Sequence, residues 1–336
     1  MSTARRIPFS VLDLAWIAED STPAQALQNT RDLAQHAERW GYHRYWLAEH
    51  HNMSGVACCA TSIVLGYVAA ATSRMRVGSG GIMLPNHAPL VVAEQFGTLD
   101  ALYPGRIDLG LGRAPGTDGL TVRALRRDPY TAADSFPQDV LELQTYFQAT
   151  QPGQKVSAIP AAGRNVPLWI LGSSTYGAQV AAALGLPYAF ASHFAPQALH
   201  EALKVYRDQF QPSEYLQAPY VMLSVHVYAA DTADEAQHLS TSLLQLFYNL
   251  RRGTPRRLQA PSRDFEQSVS AAELVSAKQA MRYSCSGTKE MIAAKLREFV
   301  EQTQANEIMI ASPLFDHEAR LRSYEIVAEI EEMVKH

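Results

Sequence analysis

A carboxylate and two imidazoles stand together at Glu49-His50-His51-Asn52, directly after the short apolar run Tyr45 to Ala48. Such groups can give or take a proton near neutral pH or ligate a metal, and a polar surface turn would look the same. Adjacent side chains point apart, so His50 and His51 do not converge on one ion even with Asp13 added, and no metal is expected. The run from Gly78 through Ser79-Gly80-Gly81 to Pro85, Asn86 and His87 places three glycines where a strand interior is expected. Glycine weakens a strand, so the run marks either a bulge or a close approach of backbone to a flat ligand.

Two further groups suit an anion. Arg113 follows Gly110-Leu111-Gly112 and is flanked by small residues, so it can reach a bound phosphate or serve as an ordinary ion-pair partner. Gly172-Ser173-Ser174-Thr175-Tyr176-Gly177 leads from an apolar run into a helical pattern. Free amides, hydroxyls and the helix dipole there favour a phosphate, and simple N-capping by Ser173 or Ser174 is compatible with the same residues. Together the four segments could surround one phosphorylated planar cofactor.

The elements that must position these groups alternate along the whole chain. Strands are expected at Ile7 to Leu12, Tyr45 to Ala48, Arg76 to Met83, Ile107 to Leu111, Leu168 to Leu171, Tyr188 to Ala191, Val221 to Ala229 and Glu307 to Ala311. Helices are expected at Pro23 to Trp40, Thr61 to Thr72, Pro89 to Leu102, Phe136 to Ala149, Tyr176 to Leu184, Pro196 to Phe210, Ala233 to Arg251, Lys289 to Thr303 and about Glu318 to Val334. The first helix has the clearest ends: Thr22 as cap, Pro23 at its first position, Gln25 completing a capping box and Gly41 just past its end. Eight strand-helix units close most simply into a parallel α/β barrel, a (β/α)8 or TIM barrel, with chemistry at the carboxyl ends of the strands. One domain over 1–336 is expected, with an insertion or lid at about 252–286, rich in Pro, Gly, Ser and Arg, between the seventh and eighth strands.

Composition narrows the function classes. The chain has 336 residues, 47% of them hydrophobic, enough for one large core. A formal charge of −4 offers no basic face for nucleic acid. Neither a secretory signal nor an apolar run long enough to span a membrane is expected. Cys58, Cys59 and Cys285 have no zinc-type spacing, so they are read as small buried hydrophobes in a reducing, cytoplasmic setting.

The motifs Tyr45-Trp46-Leu47-Ala48-Glu49-His50-His51, Gly78 to Pro85, Tyr103-Pro104-Gly105-Arg106, Gly110 to Arg113 and Leu171 to Ser174 resemble, in order, the bacterial luciferase-like flavin-dependent monooxygenases. Leu12-Asp13-Leu14 and Phe190-Ala191-Ser192-His193-Phe194 extend the likeness to an FMN-type branch. The resemblance implies a barrel that takes reduced FMN from a separate flavin reductase and uses O2 to oxygenate a small organic substrate. By position it makes His50 the catalytic histidine and joins Gly80 and Gly81 by a cis peptide under the flavin ring. It makes Arg113 a phosphate ligand and places Gly172, Ser173, Ser174, Tyr176 and Gly177 around the phosphate. Asp13 is expected among the cofactor-binding residues, and a homodimer is implied.

Luciferase itself carries a glutamate where Ser173 stands and a reactive cysteine where Gly112 stands, so light emission and its aldehyde substrate are not carried over. Enclosing the site requires a lid, for which Gly253 to Asp264 with Arg251, Arg252, Arg256 and Arg257 is proposed; a solvated basic loop is the plain alternative. Three rivals stand beside this reading: a deazaflavin-dependent hydride-transfer enzyme on the same barrel, a non-catalytic flavin-binding protein and a metal-dependent barrel hydrolase.

Overall fold

The computed structural model describes residues 6–125 and 134–335. Its elements run β1 (Phe9–Asp13), α1 (Pro23–Trp40), β2 (Arg44–Leu47), α2 (Thr61–Ala71), β3 (Arg76–Met83), α3 (Pro89–Leu102) and β4 (Ile107–Gly112). They continue α4 (Gly119–Ala124), α5 (Phe136–Phe147), β5 (Leu168–Gly172), α6 (Thr175–Leu184), β6 (Tyr188–Phe190), α7 (Leu199–Gln209) and β7 (Val221–Ala229). The last are α8 (Ala233–Arg251), α9 (Phe265–Ser268), α10 (Ala271–Ala280), β8 (Ser284–Gly287), α11 (Lys289–Thr303), β9 (Glu307–Ala311) and α12 (His317–Glu329).

All eight expected strands are present and pair in parallel. β1 lies between β2 and β9, and β6 pairs β7, so the sheet closes on itself as the expected α/β barrel. The expectation missed one strand. β8 lies at the end of the segment read as loop and pairs with β7 from His226 to Ala229, as an addition outside the eight staves. The same segment contains α9 and α10, and α10 opens with a complete capping box between Ser270 and Glu273.

Helix ends follow local chemistry. Thr22 accepts from the Gln25 amide at 3.2 Å, and Gly41 closes α1 at φ 90°. The expected capping box is only half formed, because the Gln25 side chain turns to Asn29 instead. The helix expected from Pro196 begins as a 3-10 turn and becomes α7 only at Leu199.

Alternation sorts each strand into two faces. Phe9, Val11, Tyr45, Leu47, Val77, Ile107, Leu109, Ile170, Leu223 and Ile310 face the helices, where they form the main core. Leu12, Trp46, Trp169, Ala189, Met222 and Met309 form a second cluster inside the barrel. The amino-terminal end of the barrel is plugged by charge. The Arg44 guanidinium bonds Asp108 at 2.8 Å and Glu307 at 2.9 Å and lies 4.8 Å from the Trp169 ring centroid. Arg76 and the Trp46 indole complete Asp108, while Ser10 and Tyr220 complete Glu307.

The glycines of β3 now have a physical reason. A Cβ on Gly78 would stand 2.6 Å from the Asp108 Cβ and 2.7 Å from the Trp46 indole nitrogen, and one on Gly80 would meet Leu12 at 2.8 Å. Both small residues make room for a large indole inside the barrel. Gly78→Ala is expected to lower stability by at least about 2 kcal/mol through overpacking, measurable by denaturant unfolding. An unchanged midpoint would mean that Trp46 can move aside.

Candidate functional site

At the carboxyl ends of the strands, Glu49 organises the mouth. It is buried and accepts from His51 at 2.8 Å, from His87 at 2.9 and 3.0 Å, from the Asn86 amide at 3.1 Å and from the Met83 backbone at 3.0 Å. Burial alone would raise its pKa. The bonds from His87, His51 and Asn86 outweigh this and hold it below the usual carboxylate range, so it is ionised. The loop after β2 is thereby fastened to the loop after β3. His51 serves this hub and does not share a ligand with His50.

His50 is half-buried, and its Nδ1 donates to the Gly116 carbonyl at 3.3 Å. A neutral ring bonded in this way leaves Nε2 as a free acceptor. Burial lowers its pKa below the usual 6.5, so the neutral form prevails at pH 7. Gly116 has φ 65°, and a Cβ there would stand 2.8 Å from the Glu49 carbonyl, so the close approach needs glycine. Next along the rim, the Gly80-Gly81 peptide bond is cis, and the register to β4 shifts between Gly80 and Ile82. The glycine run is therefore a bulge, the first of its two readings.

The segments expected to meet an anion lie at the ends of β4 and β5. Arg113 is exposed and has no ion pair or hydrogen bond among the described residues; its guanidinium stacks 4.1 Å from the Tyr176 ring centroid. Ser174 is the N-cap of α6 by backbone geometry, yet its side chain makes no capping bond, and Ser173 and Ser174 are both exposed. The first amides of α6 are thus open, with hydroxyls and an unpaired guanidinium beside them. A phosphate suits that donor set. Gly172 and Gly177 pack the helix start onto β5: a Cβ on Gly177 would lie 3.1 Å from the Gly172 Cα.

Asp13 does not join this group. It is fully buried, and its two oxygens accept from Arg320 at 2.7 Å, the Ala15 amide at 2.9 Å, Tyr45 at 2.6 Å and Thr30 at 2.7 Å. With every acceptor engaged, it ties β1 to α1, β2 and α12 and has no lone pair left for a cofactor. Cys58 and Cys285 are buried as expected, whereas Cys59 is exposed.

The basic segment after α8 is fastened rather than free. Leu258 is buried and bridges Ala18, exchanging backbone bonds with Ile17 and Glu19 at 2.9 Å each. Arg257 donates to the Ser21 carbonyl and Arg252 pairs with Glu273. A cavity of about 220 Å³ lies outside the barrel between α8, α10 and β8, and none of the mouth residues lines it.

Sequence reasoning missed the Glu49–His87–Asn86 hub and two histidines on the far side, His193 and His226. The signal for the second was present: Ser224, His226 and Tyr228 alternate with valines in β7, as inward residues near a barrel mouth do.

A closed parallel barrel that gathers a neutral histidine, an exposed arginine and the uncapped start of α6 at its carboxyl rim defines the class: an α/β-barrel protein with its polar groups at the end where such barrels do chemistry. The chain belongs to the luciferase-like monooxygenase family, whose sequence pattern it matches over residues 7–307. It is 50% identical over 330 residues to a luciferase-like monooxygenase of Escherichia coli (strain K12), covering 98% of both chains. It is 33% identical over 334 residues to the N-acetyl-S-alkylcysteine monooxygenase of Bacillus subtilis (strain 168), covering 96% of this chain and 98% of that one. Among solved structures it superposes on apo-MsnO8 with a TM-score of 0.90 at 36% identity, over 98% of this chain and 100% of the other.

Proposed function

We propose that this protein is the oxygenase component of a two-component flavin monooxygenase, taking reduced FMN from a separate flavin reductase and O2 as co-substrate. The observation that carries the reading is Arg113: a guanidinium on Tyr176 with no ion pair among the described residues, beside the α6 start, whose N-cap Ser174 makes no side-chain capping bond, and the exposed Ser173 and Ser174. These residues would hold the cofactor phosphate, with Gly172 and Gly177 shaping the turn, while Gly80 and Gly81 offer backbone to the ring. Bound reduced flavin would supply the electrons that activate O2. His50, neutral and aimed by Gly116, would take or return the proton at its Nε2.

The test is anaerobic titration with reduced FMN, followed by admission of O2. Wild-type protein is expected to bind it and to delay the return of oxidised-flavin absorbance at least tenfold relative to free FMN. Arg113→Ala is expected to weaken binding by roughly 10- to 100-fold, the loss of one charged phosphate contact. Oxidation at the free-flavin rate, or preference for a reduced deazaflavin without O2 dependence, would move the protein to flavin storage or to hydride transfer.

The Bacillus subtilis relative's name makes small thioethers the first organic substrates to try. We treat 1–336 as one functional unit in which the insertion at 252–286 excludes water, its segment 253–264 strapped to the rim through Leu258. Leu258→Ser is expected to release the strap and raise hydrogen peroxide formed per reduced FMN; an unchanged yield would make the segment merely structural. A homodimer through α2 and α3 is supported by Ile63, Tyr67, Val91 and Leu102, large apolar side chains left exposed on those helices. A cytoplasmic setting fits a protein fed by a reductase and carrying three free cysteines. Among the described residues no helix is long and apolar enough to cross a membrane.

A further inference from the structure

The β6 and β7 side of the mouth holds two imidazoles that the cofactor reading leaves unused. His226 lies on the inward face of β7 and is 4% exposed. Its Nδ1 donates to the Ala311 carbonyl at 3.2 Å, which fixes the tautomer and leaves Nε2 as an acceptor. His193 follows the end of β6 and meets His226 edge to face, with ring centroids 5.0 Å apart and planes at 84°. A second edge contact, Phe247 at 6.1 Å, backs His226 from α8. The pair is therefore held in place by packing and by one backbone bond.

The Nδ1 of His193 is buried and has no hydrogen-bond partner among the described residues. Buried polar nitrogens are nearly always paired, and leaving one unpaired is costly. The missing partner is best supplied from outside the chain. Its chemistry follows from the surroundings: the titratable groups that act on His193 are His226 and His50, and burial together with those two imidazoles holds it uncharged. The barrel-interior positions of these strands are uncharged and largely apolar, with Ala189 on β6, Met222 on β7 and Met309 and Ala311 on β9, and the Ser192 hydroxyl is already spent on the Ser224 carbonyl. Among the described residues an anion would find no cation acting on His193, and a cation no carboxylate.

We propose that His193, braced by His226, contacts the organic substrate through Nδ1, making one hydrogen bond to an uncharged amide, hydroxyl or carbonyl on a molecule with an apolar body. The assignment rests on the cofactor occupying the β3 to β5 side of the mouth, which leaves the β6 to β7 side to the substrate.

The probe is N-methylacetamide, uncharged and able both to donate and to accept. Its titration into full-length protein labelled with 15N-histidine is expected to shift the His193 ring resonances saturably. His193→Asn, which places an amide near the Nδ1 position, is expected to retain binding within about threefold, and His193→Phe to lose it at least tenfold. Removing an unpaired buried nitrogen is expected to raise the melting temperature of His193→Phe by roughly 1–3 °C. A resonance that does not saturate, or a His193→Phe protein that melts several degrees lower, would overturn the proposal and make the ring a framework element. Reduced-FMN affinity is measured on the same variants and is expected to be unchanged. Loss of flavin binding in wild type would count against the cofactor reading alone, because the probe titration and the melting shift are read without flavin.

Discussion

Arg44→Met is expected to remove about 3–5 kcal/mol of folding stability, the range seen when one partner of a buried ion cluster is deleted. The arginine sits between Asp108 and Glu307, both fully buried, and its removal leaves two carboxylates facing each other inside the barrel floor. Burial would raise the Asp108 pKa, but Arg44 and Arg76 hold it below the ordinary carboxylate value. The sign of the pH dependence follows. A depressed folded pKa gives stability that is complete above the unfolded value, about 3.9, and is lost as pH falls through the folded one. Wild type therefore keeps this contribution down to about pH 4, whereas the variant, with Asp108 less well compensated, begins to lose it at higher pH. Urea titrations at several pH values read both effects. A methionine variant as stable as wild type at pH 7 would mean that the plug is replaceable by apolar packing.

His50→Ala is expected to lower product formation by roughly 10² to 10⁴-fold, the usual contribution of a positioned acid-base group, with reduced-FMN affinity preserved within a few-fold. Burial favours the neutral ring, so its pKa lies below 6.5. Activity that needs the free Nε2 acceptor therefore falls only as pH drops through that lowered value, and the acid limb disappears in the variant. Oxygenated product formed per reduced FMN consumed, followed across pH 5 to 8, separates this from a structural role. An alanine variant that retains both its rate and its acid limb would remove His50 from the chemistry.

Much of this architecture could be read from residue order. α1 was legible at both ends because Thr22 and Gly41 are local signals that no tertiary contact overrides. β8 was not, since Ser284-Cys285-Ser286-Gly287 is short and polar and is a strand only because β7 offers an open edge there. α10 was missed although Ser270 and Glu273 spell a capping box, because the surrounding Pro, Ser and Arg residues dominate the composition. At the site, Arg113 and the Ser173-Ser174 turn could be anticipated because helix ends and strand ends are set by nearby sequence. The roles of Asp13 and His51 could not. Asp13 is decided by Arg320 and Tyr45, far along the chain, and His51 by its neighbour Glu49 only once His87 has fixed that carboxylate; a carboxylate or imidazole looks the same in sequence whether saturated or free.

The bond between Asp13 and Arg320 joins residues 307 positions apart, and β1 waits almost as long for β9. A ribosome delivers one partner long before the other. Over that interval the growing chain is an incomplete stave-work, with β1 open along one edge and the Asp13 carboxylate lacking its cation. Nascent molecules of this protein cannot seal the cylinder until β9 has left the exit tunnel. Pauses just before β9 should therefore prolong an adhesive, chaperone-dependent state far more than pauses before β2.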